Sequence, residues 1–216
     1  AAFYGYPARK MTMIGVTGTD GKTTTCNLLF QILLSAGINA GMITTVNAVI
    51  GDETLDTGFH VTTPDTLDIQ NYLAKMVEKG LTHVILETTS HGWSQYRVDA
   101  CEFDIGLITN ITHEHLDYHG SFENYRLAKA RLFTGLVNTL PKKLGNKRLG
   151  ILNCDDSSYE FLNVVTEVDQ VSYGSHPSSD FRSEAIEYSP SGISFYVRHR
   201  GEIHQVVSSL VGAFNV

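Results

Sequence analysis

A glycine-rich segment with the sequence Gly-Thr-Asp-Gly-Lys-Thr-Thr occupies residues 18–24 of the chain. It follows an apolar run at residues 11–16 and precedes a stretch of helical apolar periodicity at residues 26–34. In this setting of strand, turn and helix, glycine lets backbone N–H groups face an anion, and the helix start is electropositive. The pattern predicts a phosphate-binding loop in which Lys22 contacts the β- and γ-phosphates and Thr23 or Thr24 holds Mg²⁺.

The loop differs from the strict P-loop pattern at one position. That pattern has glycine six residues before the lysine, where this chain has Val16. The segment is therefore a compact variant, G-x-x-G-K-T. A purely structural turn is the alternative, and the agreement of spacing and flanking elements argues against it.

Further polar residues follow the ends of other predicted strands. Glu87 ends the apolar run at residues 83–86, and the segment from Asn110 to His115 follows the run at residues 103–108. Ligands of open α/β sheets bind outside the carboxyl ends of the strands, so we expect these side chains near the phosphate loop. Glu87 is a predicted Mg²⁺ ligand, because carboxylate oxygens suit a hard cation. A solvated strand-end carboxylate is the alternative.

A histidine-rich run with the sequence His-Glu-His-Leu-Asp-Tyr-His occupies residues 113–119. It does not match the zinc pattern H-E-x-x-H, because the fourth residue after His113 is Asp117. We therefore favour a magnesium–nucleotide site that shares one histidine, with the other histidines as ordinary loop residues. A zinc hydrolase is the alternative reading of this run.

Lys129 interrupts an otherwise apolar helical stripe. In the helix predicted to start near Ser121, the residues at spacings of three and four are Phe122, Tyr125, Lys129, Leu132 and Leu136. Burial lowers the pKa of a lysine, and a neutral amine can react with CO₂ to give a carbamate that is an oxygen ligand for Mg²⁺. There are two alternatives. The aliphatic part of Lys129 is buried while its amine reaches water, or the amine pairs with a carboxylate.

Composition narrows the class of protein. The 216 residues are 42% hydrophobic, enough for one well-cored domain, and the net charge of −7 argues against a nucleic-acid or membrane-surface partner. The three cysteines, Cys26, Cys101 and Cys154, are far apart and odd in number, which predicts no disulfide framework and a cytoplasmic location. We find no signal peptide and no apolar run of membrane-spanning length. Both ends read as cut.

Strands and helices alternate through about residue 173, which predicts an α/β fold with a mostly parallel P-loop-type sheet flanked by helices. From Phe181 onward, short alternating runs separated by turn residues predict a small antiparallel β extension at the C-terminal end. Residues 1–10 read as a linker from a preceding domain, and residues 11–216 as one ATP-binding domain.

Five segments occur in a characteristic order. They are residues 18–24, Thr-Thr-Pro-Asp at 62–65, Glu-Thr-Thr-Ser-His-Gly at 87–92, Asn-Ile-Thr-His-Glu-His-Leu-Asp-Tyr-His-Gly at 110–120, and Tyr-Arg-Leu-Ala-Lys at 125–129. Together they resemble the central ATPase domain of the Mur ligase family over residues 3–216. The His-Leu-Asp-Tyr-His-Gly stretch is most similar to the MurE members, the UDP-N-acetylmuramoyl-tripeptide synthetases. Folylpolyglutamate and cyanophycin synthetases have a similar loop and are the alternative, beside a regulatory nucleotide-binding NTPase module.

The resemblance implies roles for particular residues. ATP would contact Gly18, Thr19, Asp20, Gly21, Lys22, Thr23, Thr24 and Asn110. Mg²⁺ would be held by Thr23 or Thr24, Glu87, His115 and Lys129, the last matching the family's carbamylated lysine. Lys22, Glu87, His115 and Lys129 would be the catalytic residues. The UDP-MurNAc-dipeptide would contact Thr62, Thr63, Thr89, Gln95 and Arg97. Val61 stands where relatives often have asparagine, so no contact is expected there.

The activity implied by the resemblance is ATP-dependent amide ligation through an acyl phosphate. An amino acid is added to UDP-MurNAc-dipeptide in peptidoglycan precursor synthesis, and hence in cell-wall biogenesis, cell shape and cell division. The family has three domains, so an N-terminal uridine-nucleotide domain and a C-terminal amino-acid domain are expected outside this chain. We therefore expect the isolated fragment to be inactive. The added amino acid, whether lysine, meso-diaminopimelate or another, is left open.

Overall fold

The strands form where apolar runs are bounded by glycine or polar residues. The structure is a computed structural model, and it describes residues 1–57, 63–112, 114 and 116–211. The strands are β1 (Thr12–Thr17), β2 (Ala40–Ile43), β3 (Asn47–Ile50), β4 (Glu53–Asp56), β5 (His83–Glu87), β6 (Ile105–Ile108), β7 (Leu149–Asn153), β8 (Asp169–Gly174), β9 (Phe181–Ser189), β10 (Gly192–His199) and β11 (Glu202–Ser208).

The helices follow the strands much as the apolar periodicity predicts. They are α1 (Lys22–Ser35), α2 (Thr66–Glu78), α3 (Ser90–Ser94), α4 (Leu116–His119), α5 (Phe122–Leu136) and α6 (Tyr159–Val165). Helix α5 begins where its sequence predicts, because the Ser121 hydroxyl accepts a hydrogen bond from the Asn124 backbone N–H at 3.2 Å. Such a cap satisfies one of the free N–H groups at a helix start.

Within the described ranges, eleven strands form one sheet in the order β11-β10-β9-β8-β7-β6-β1-β5-β2-β3-β4. From β8 to β2 every neighbouring pair is parallel, which confirms the predicted α/β class. Strands β9, β10 and β11 pair antiparallel, as predicted for the C-terminal end, while β9 joins β8 in parallel. A second antiparallel extension, β2-β3-β4, closes the other edge and was not predicted.

Helices cover both faces of the central strands, because successive side chains of a strand point to opposite faces. On one face, Ile14 and Val16 of β1 pack with Cys26 and Phe30 of α1. On the other face, Met13 of β1 packs in a core formed with α2, α5 and α6. Helices α1 and α5 therefore lie on opposite faces of β1, and both reach the end of that strand.

Helix α5 lies close to the sheet because two glycines leave room for it. Gly15 of β1 and Gly106 of β6 are paired in the parallel register. A Cβ atom at Gly15 would lie 2.6 Å from Leu132 Cδ1, and one at Gly106 would lie 3.1 Å from Leu132 Cγ. We call this pair, with Leu132 packed on it, the glycine notch. It fixes the height of α5 above β1 and β6.

The apolar periodicity of residues 67–77 predicts that Leu67, Tyr72, Leu73, Met76 and Val77 of α2 face the core, and this prediction is only partly correct. Leu73 and Met76 are fully buried, but Leu67 is 73% exposed. The buried stripe begins instead at Ile69 and continues at spacings of four and three. Leu67 lies in the first turn of the helix and off this stripe, so the periodicity was extended one turn too far.

Residues 1–10 form two short 3₁₀ turns, Ala2–Tyr4 and Pro7–Lys10. Pro7 and Ala8 are buried, and the second turn packs against α2. Their origin as a linker from another domain stays a prediction.

A buried ion pair joins the amino ends of β1 and β6. The Lys142 amine donates to Asp104 Oδ2 at 2.6 Å and to the carbonyls of Glu102 and Met11 at 2.8 and 3.1 Å. Asp104 also accepts a hydrogen bond from the Met13 backbone N–H at 2.8 Å. Burial lowers the pKa of Lys142, and the hydrogen bond to Asp104 opposes that effect. The pair thus fixes the two strands whose opposite ends carry the site described below.

Replacing Lys142 tests this role. Lys142→Ala leaves the Asp104 carboxylate buried without its cation, so we expect the free energy of unfolding to fall by about 3 kcal/mol. The exposed neighbour Lys143 provides a matched control, and Lys143→Ala should change it by less than about 0.5 kcal/mol. Urea denaturation followed by circular dichroism measures both, and equal midpoints for the two variants would contradict the assignment.

Candidate functional site

The phosphate loop lies between the end of β1 and the start of α1, and glycine is required at its first position. Gly18 has a φ of +149°, and a Cβ there would lie 1.8 Å from Thr109 Oγ1. Gly21 has a φ of +76° and immediately precedes α1. The loop therefore turns through backbone conformations that other residues rarely adopt, and it delivers the chain directly into a helix N-terminus.

The end of β6 holds the loop from the side. The Thr19 backbone N–H donates to the Asn110 carbonyl at 2.8 Å, and the Asp20 N–H donates to Asn110 Oδ1 at 2.9 Å. The Thr109 hydroxyl donates to the Asp20 carbonyl at 2.7 Å. Asn110 thus lies at the loop, as predicted, and its contacts here are with the loop backbone.

Lys22 is the first residue of α1, and its amine donates to the Thr19 carbonyl at 2.7 Å. Its side chain is half-buried and curls over the loop. Thr23 and Thr24 follow in the first helical turn and are also half-buried. The loop, its lysine and both hydroxyls are therefore together, as the sequence predicted.

Glu87 ends β5 beside the loop. Its register partner in β1 is Val16, two residues before Gly18. Its carboxylate accepts hydrogen bonds from the Thr23 hydroxyl at 2.8 Å and from the Thr45 backbone N–H at 3.3 Å. Glu87 is only 2% exposed, and this burial raises its pKa although both hydrogen bonds and Lys22 oppose the rise.

The contact between Glu87 and Thr23 places two oxygen donors together where they suit a cation. A buried carboxylate and a hydroxyl next to a phosphate loop are hard oxygen donors, the type that Mg²⁺ prefers. In the part of the chain that the structure describes, no group of three His, Cys, Asp or Glu side chains is arranged to hold a metal ion. The donors present thus fit a cation that also takes phosphate and water oxygens.

Lys129 lies in α5 and is 2% exposed, as its place in the apolar stripe predicted. Its amine donates a hydrogen bond to the Gly18 carbonyl, the first of the loop. Burial, and then repulsion from Lys22, lowers the pKa of Lys129 to about 7, although Glu114 and Asp20 oppose this. The amine is therefore partly neutral near physiological pH and contacts the phosphate loop.

The glycine notch explains how a lysine of α5 reaches this point. Leu132 packs on Gly15 and Gly106, and Lys129 precedes it by three residues, on the same face of the helix. Side chains of a helix lean toward its N-terminus. The close approach of α5 to β1 thus carries the Lys129 amine to the carboxyl end of the strand.

Tyr125 is a site residue to which the sequence analysis gave no role. It is fully buried, and its hydroxyl lies 3.0 Å from the Thr19 hydroxyl. Its ring lies beneath Lys129, with the amine 4.5 Å from the ring centroid. In the sequence, Tyr125 lies four residues before Lys129 on the same apolar stripe, and this position predicted only that it packs in the core.

The residues predicted to contact a substrate form a second group next to the first. The hydroxyls of Thr63 and Thr89 lie 2.9 Å apart, and both residues are buried. The Arg97 guanidinium donates to the Thr63 carbonyl at 2.7 Å and lies 3.6 Å from a carboxylate oxygen of Asp65. Thr89 also accepts a hydrogen bond at the start of α3. Within this group, Thr89 lies two residues after Glu87 along the chain.

Gln95 is joined to this region through aromatic rings. Its amide donates to the Tyr118 hydroxyl at 3.2 Å, and the Tyr118 ring lies 4.1 Å from that of His91. His91 in turn lies 5.5 Å from His119, which is 5.4 Å from Tyr125. A continuous series of ring contacts therefore connects Gln95 with the phosphate loop.

Some predicted residues lie outside the described residues. These are Thr62 and His115, together with His113 of the histidine-rich run and the neighbouring Val61. Among the helices that the structure does describe, none has the length and apolar character needed to cross a membrane.

Comparison with known sequences identifies relatives of the whole chain. The profile of the Mur ligase middle domain matches residues 16–216. The chain is 38% identical to the UDP-N-acetylmuramoyl-L-alanyl-D-glutamate–2,6-diaminopimelate ligase of Geobacillus thermodenitrificans over 215 residues, covering 100% of this chain and 43% of that protein. It is also 38% identical to UDP-N-acetylmuramyl-tripeptide synthetase 2 of Oceanobacillus iheyensis, with the same coverage. The chain thus spans less than half the length of these relatives.

Solved structures have the same architecture. A UDP-N-acetylmuramoyl-L-alanyl-D-glutamate–2,6-diaminopimelate ligase superposes with a TM-score of 0.82 at 30% identity, over 95% of this chain and 40% of that one. MurF from Acinetobacter baumannii has a TM-score of 0.72 at 18% identity, over 100% of this chain and 42% of that one, a likeness of fold alone. The chain belongs to the Mur ligase middle domain family.

Proposed function

We propose that this chain is the ATP-binding core of an ATP-dependent carbon–nitrogen ligase that adds an amino acid to UDP-MurNAc-dipeptide. The observation that carries the proposal is the meeting of three elements at one edge of the sheet. They are the phosphate loop, the Glu87–Thr23 pair and the buried Lys129 amine. Two relatives at 38% identity, a diaminopimelate ligase and a tripeptide synthetase, support the same class of reaction.

The nucleotide phosphates would bind at the loop and the start of α1. Backbone N–H groups there, with the helix dipole, favour anions, and Lys22 adds a mobile positive charge. Lys22 would exchange the Thr19 carbonyl for phosphate oxygens. The chain as a whole carries a net charge of −7, so this local positive potential is what attracts an anionic nucleotide.

Mg²⁺ would be held by Thr23 or Thr24 and Glu87, together with His115 and a carbamylated Lys129 from the sequence predictions. When bound, it supplies charge neutralisation to the phosphate oxygens. Glu87 is suited to this task because it is already fixed by the Thr23 hydroxyl and the Thr45 N–H.

Carbamylation of Lys129 is part of the proposal. The neutral amine nitrogen would attack the carbon of CO₂, forming a C–N bond, and one amine proton would leave to solvent. As a C=O π bond of CO₂ opens, the neutral side chain would become a carbamate anion with two oxygen ligands. Its burial supports this role, because burial lowers the pKa of Lys129 to about 7 and the neutral amine is the form that reacts with CO₂.

In the first reaction step, the terminal carboxylate of the dipeptide would attack the γ-phosphorus. An O–P bond forms, the bond to the β-phosphate oxygen breaks, and ADP leaves. In the second step, the amine of the amino acid attacks the acyl carbon, a C–N bond forms, phosphate leaves and the amine loses a proton. The protein contributes mainly positioning and charge stabilisation, as in phosphoryl transfer generally.

The dipeptide substrate would bind at the second group, with Thr62, Thr63, Thr89, Gln95 and Arg97. An anionic sugar nucleotide suits the guanidinium of Arg97, which would exchange Asp65 for the ligand. Such substrates and ATP belong to the cytoplasm, where we place the protein. The amino acid and its binding site would come from parts of the ligase outside this chain.

Removal of the loop lysine should weaken nucleotide binding. For Lys22→Ala we expect the Kd for ADP with Mg²⁺ to rise by about 10- to 100-fold, because a charge-assisted hydrogen bond to phosphate is lost. Lys75→Ala, at an exposed position of α2, should leave the Kd unchanged. Isothermal titration calorimetry measures both, and equal affinities would contradict the predicted phosphate site.

Carbamylation of Lys129 should depend on pH in a defined direction. Only the neutral amine reacts with CO₂, and the pKa of about 7 means that this form grows as the pH rises from 6 to 8. We expect a ¹³C carbamate resonance in ¹³C-bicarbonate buffer that increases over this range and is absent in Lys129→Ala. A resonance that persists in Lys129→Ala, or none at pH 8 in the unchanged protein, would exclude the modification at this residue.

The ligase reaction should require every substrate. In the whole ligase, phosphate release should depend on both UDP-MurNAc-dipeptide and an amino acid, whereas the 216-residue chain alone should bind nucleotide and form no tripeptide. Coupled phosphate detection and mass spectrometry measure these outcomes. Tripeptide formation by the isolated chain would refute the proposal that ligation needs the rest of the ligase. Phosphate release without either substrate would favour a nucleotide switch. Stoichiometric zinc without nucleotide binding would favour a hydrolase.

A further inference from the structure

We propose that Tyr125 is a positioning residue that ties the phosphate loop to α5, so that the loop and Lys129 are held in one arrangement. Its hydroxyl contacts Thr19 in the middle of the loop, and its ring lies under the Lys129 amine. The inference rests on the proposed nucleotide site and adds to it a residue that touches neither phosphate nor substrate in that proposal.

The hydroxyl of Tyr125 forms a hydrogen bond with the loop in which either hydroxyl can be the donor. Burial raises the pKa of Tyr125 to about 12, so the phenol keeps its proton at physiological pH. Thr19 Oγ1 lies 3.0 Å from the Tyr125 oxygen and also accepts the Thr112 backbone N–H at 2.9 Å. Thr19 is itself buried. Its side chain is therefore fixed from α5 on one side and from the chain after β6 on the other.

The ring of Tyr125 acts on the lysine. The Lys129 amine lies 4.5 Å from the ring centroid, within the range in which the negative face of an aromatic ring attracts the protonated, unmodified form of the amine. The two residues are four apart in α5 and so lie on the same face, one above the other. The amine is thereby held where it reaches the Gly18 carbonyl.

Two residues one turn apart on the inner face of α5 thus contact two consecutive residues of the loop. Lys129 binds Gly18, and Tyr125 binds Thr19. The helix is anchored on the sheet by the glycine notch, so the position of the loop follows that of the helix. A residue that only fills the core would not need the hydroxyl, and phenylalanine would serve equally well.

The substitution Tyr125→Phe separates these possibilities, because it keeps the ring and removes only the hydroxyl. We expect the Kd for ADP with Mg²⁺ to rise about fivefold, the effect of losing one neutral hydrogen bond, while the Lys129 carbamate resonance remains. Tyr96→Phe, at an exposed position beside Arg131, is the matched control and should bind ADP as the unchanged protein does.

A double-mutant cycle tests whether Tyr125 acts through Thr19. If it does, Thr19→Val combined with Tyr125→Phe should bind ADP no more weakly than Thr19→Val alone. Additive losses, or a Tyr125→Phe affinity within twofold of the unchanged protein, would overturn the inference. Failure of the unchanged protein to bind ADP would instead refute the proposed nucleotide site.

Discussion

The hydrogen bond between the buried Lys129 amine and the Gly18 carbonyl is the contact on which the site depends. An amine in a low-dielectric interior is costly to charge, and here a second lysine, Lys22, adds repulsion. The protein places the amine against a carbonyl dipole and an aromatic face, which are weaker partners than a carboxylate. That choice leaves the amine close to neutrality and therefore open to chemistry that an ordinary surface lysine does not undergo.

The fold brings these groups together because the central strands are parallel and end at the same edge. The phosphate loop follows β1, Glu87 ends β5, and Asn110 follows β6, so three strand ends converge without any long excursion of the chain. Helix α1 supplies its N-terminus from one face, and α5 supplies two side chains from the other. The antiparallel strands at both edges lie outside this centre and extend the sheet without contributing to the described site residues.

Local patterns predicted much of this arrangement. Lys129 could be placed in the core because helical periodicity depends only on neighbours along the chain, and the loop could be placed from its glycines. The role of Tyr125 could not be predicted, since its partner Thr19 lies 106 positions away. The same holds for the Asp65 and Thr63 contacts of Arg97. The β3–β4 hairpin was missed because β4, the four-residue strand at the edge of the sheet, is mostly polar and exposed and carries little apolar alternation. The glycine notch was missed because glycine leaves no apolar signal.

Because the glycine notch sets the position of α5, a substitution in the notch would move the α5 residues that contact the phosphate loop. A methyl group at Gly15 would stand 2.6 Å from Leu132 Cδ1, whereas carbon atoms in contact are normally about 3.5–4.0 Å apart. Relief of that overlap would lift α5 by about 1 Å, and catalytic groups tolerate misplacement of only about 0.5 Å. A single methyl group on the inner surface of a strand would therefore displace Tyr125 and Lys129 from the phosphate loop without touching either residue.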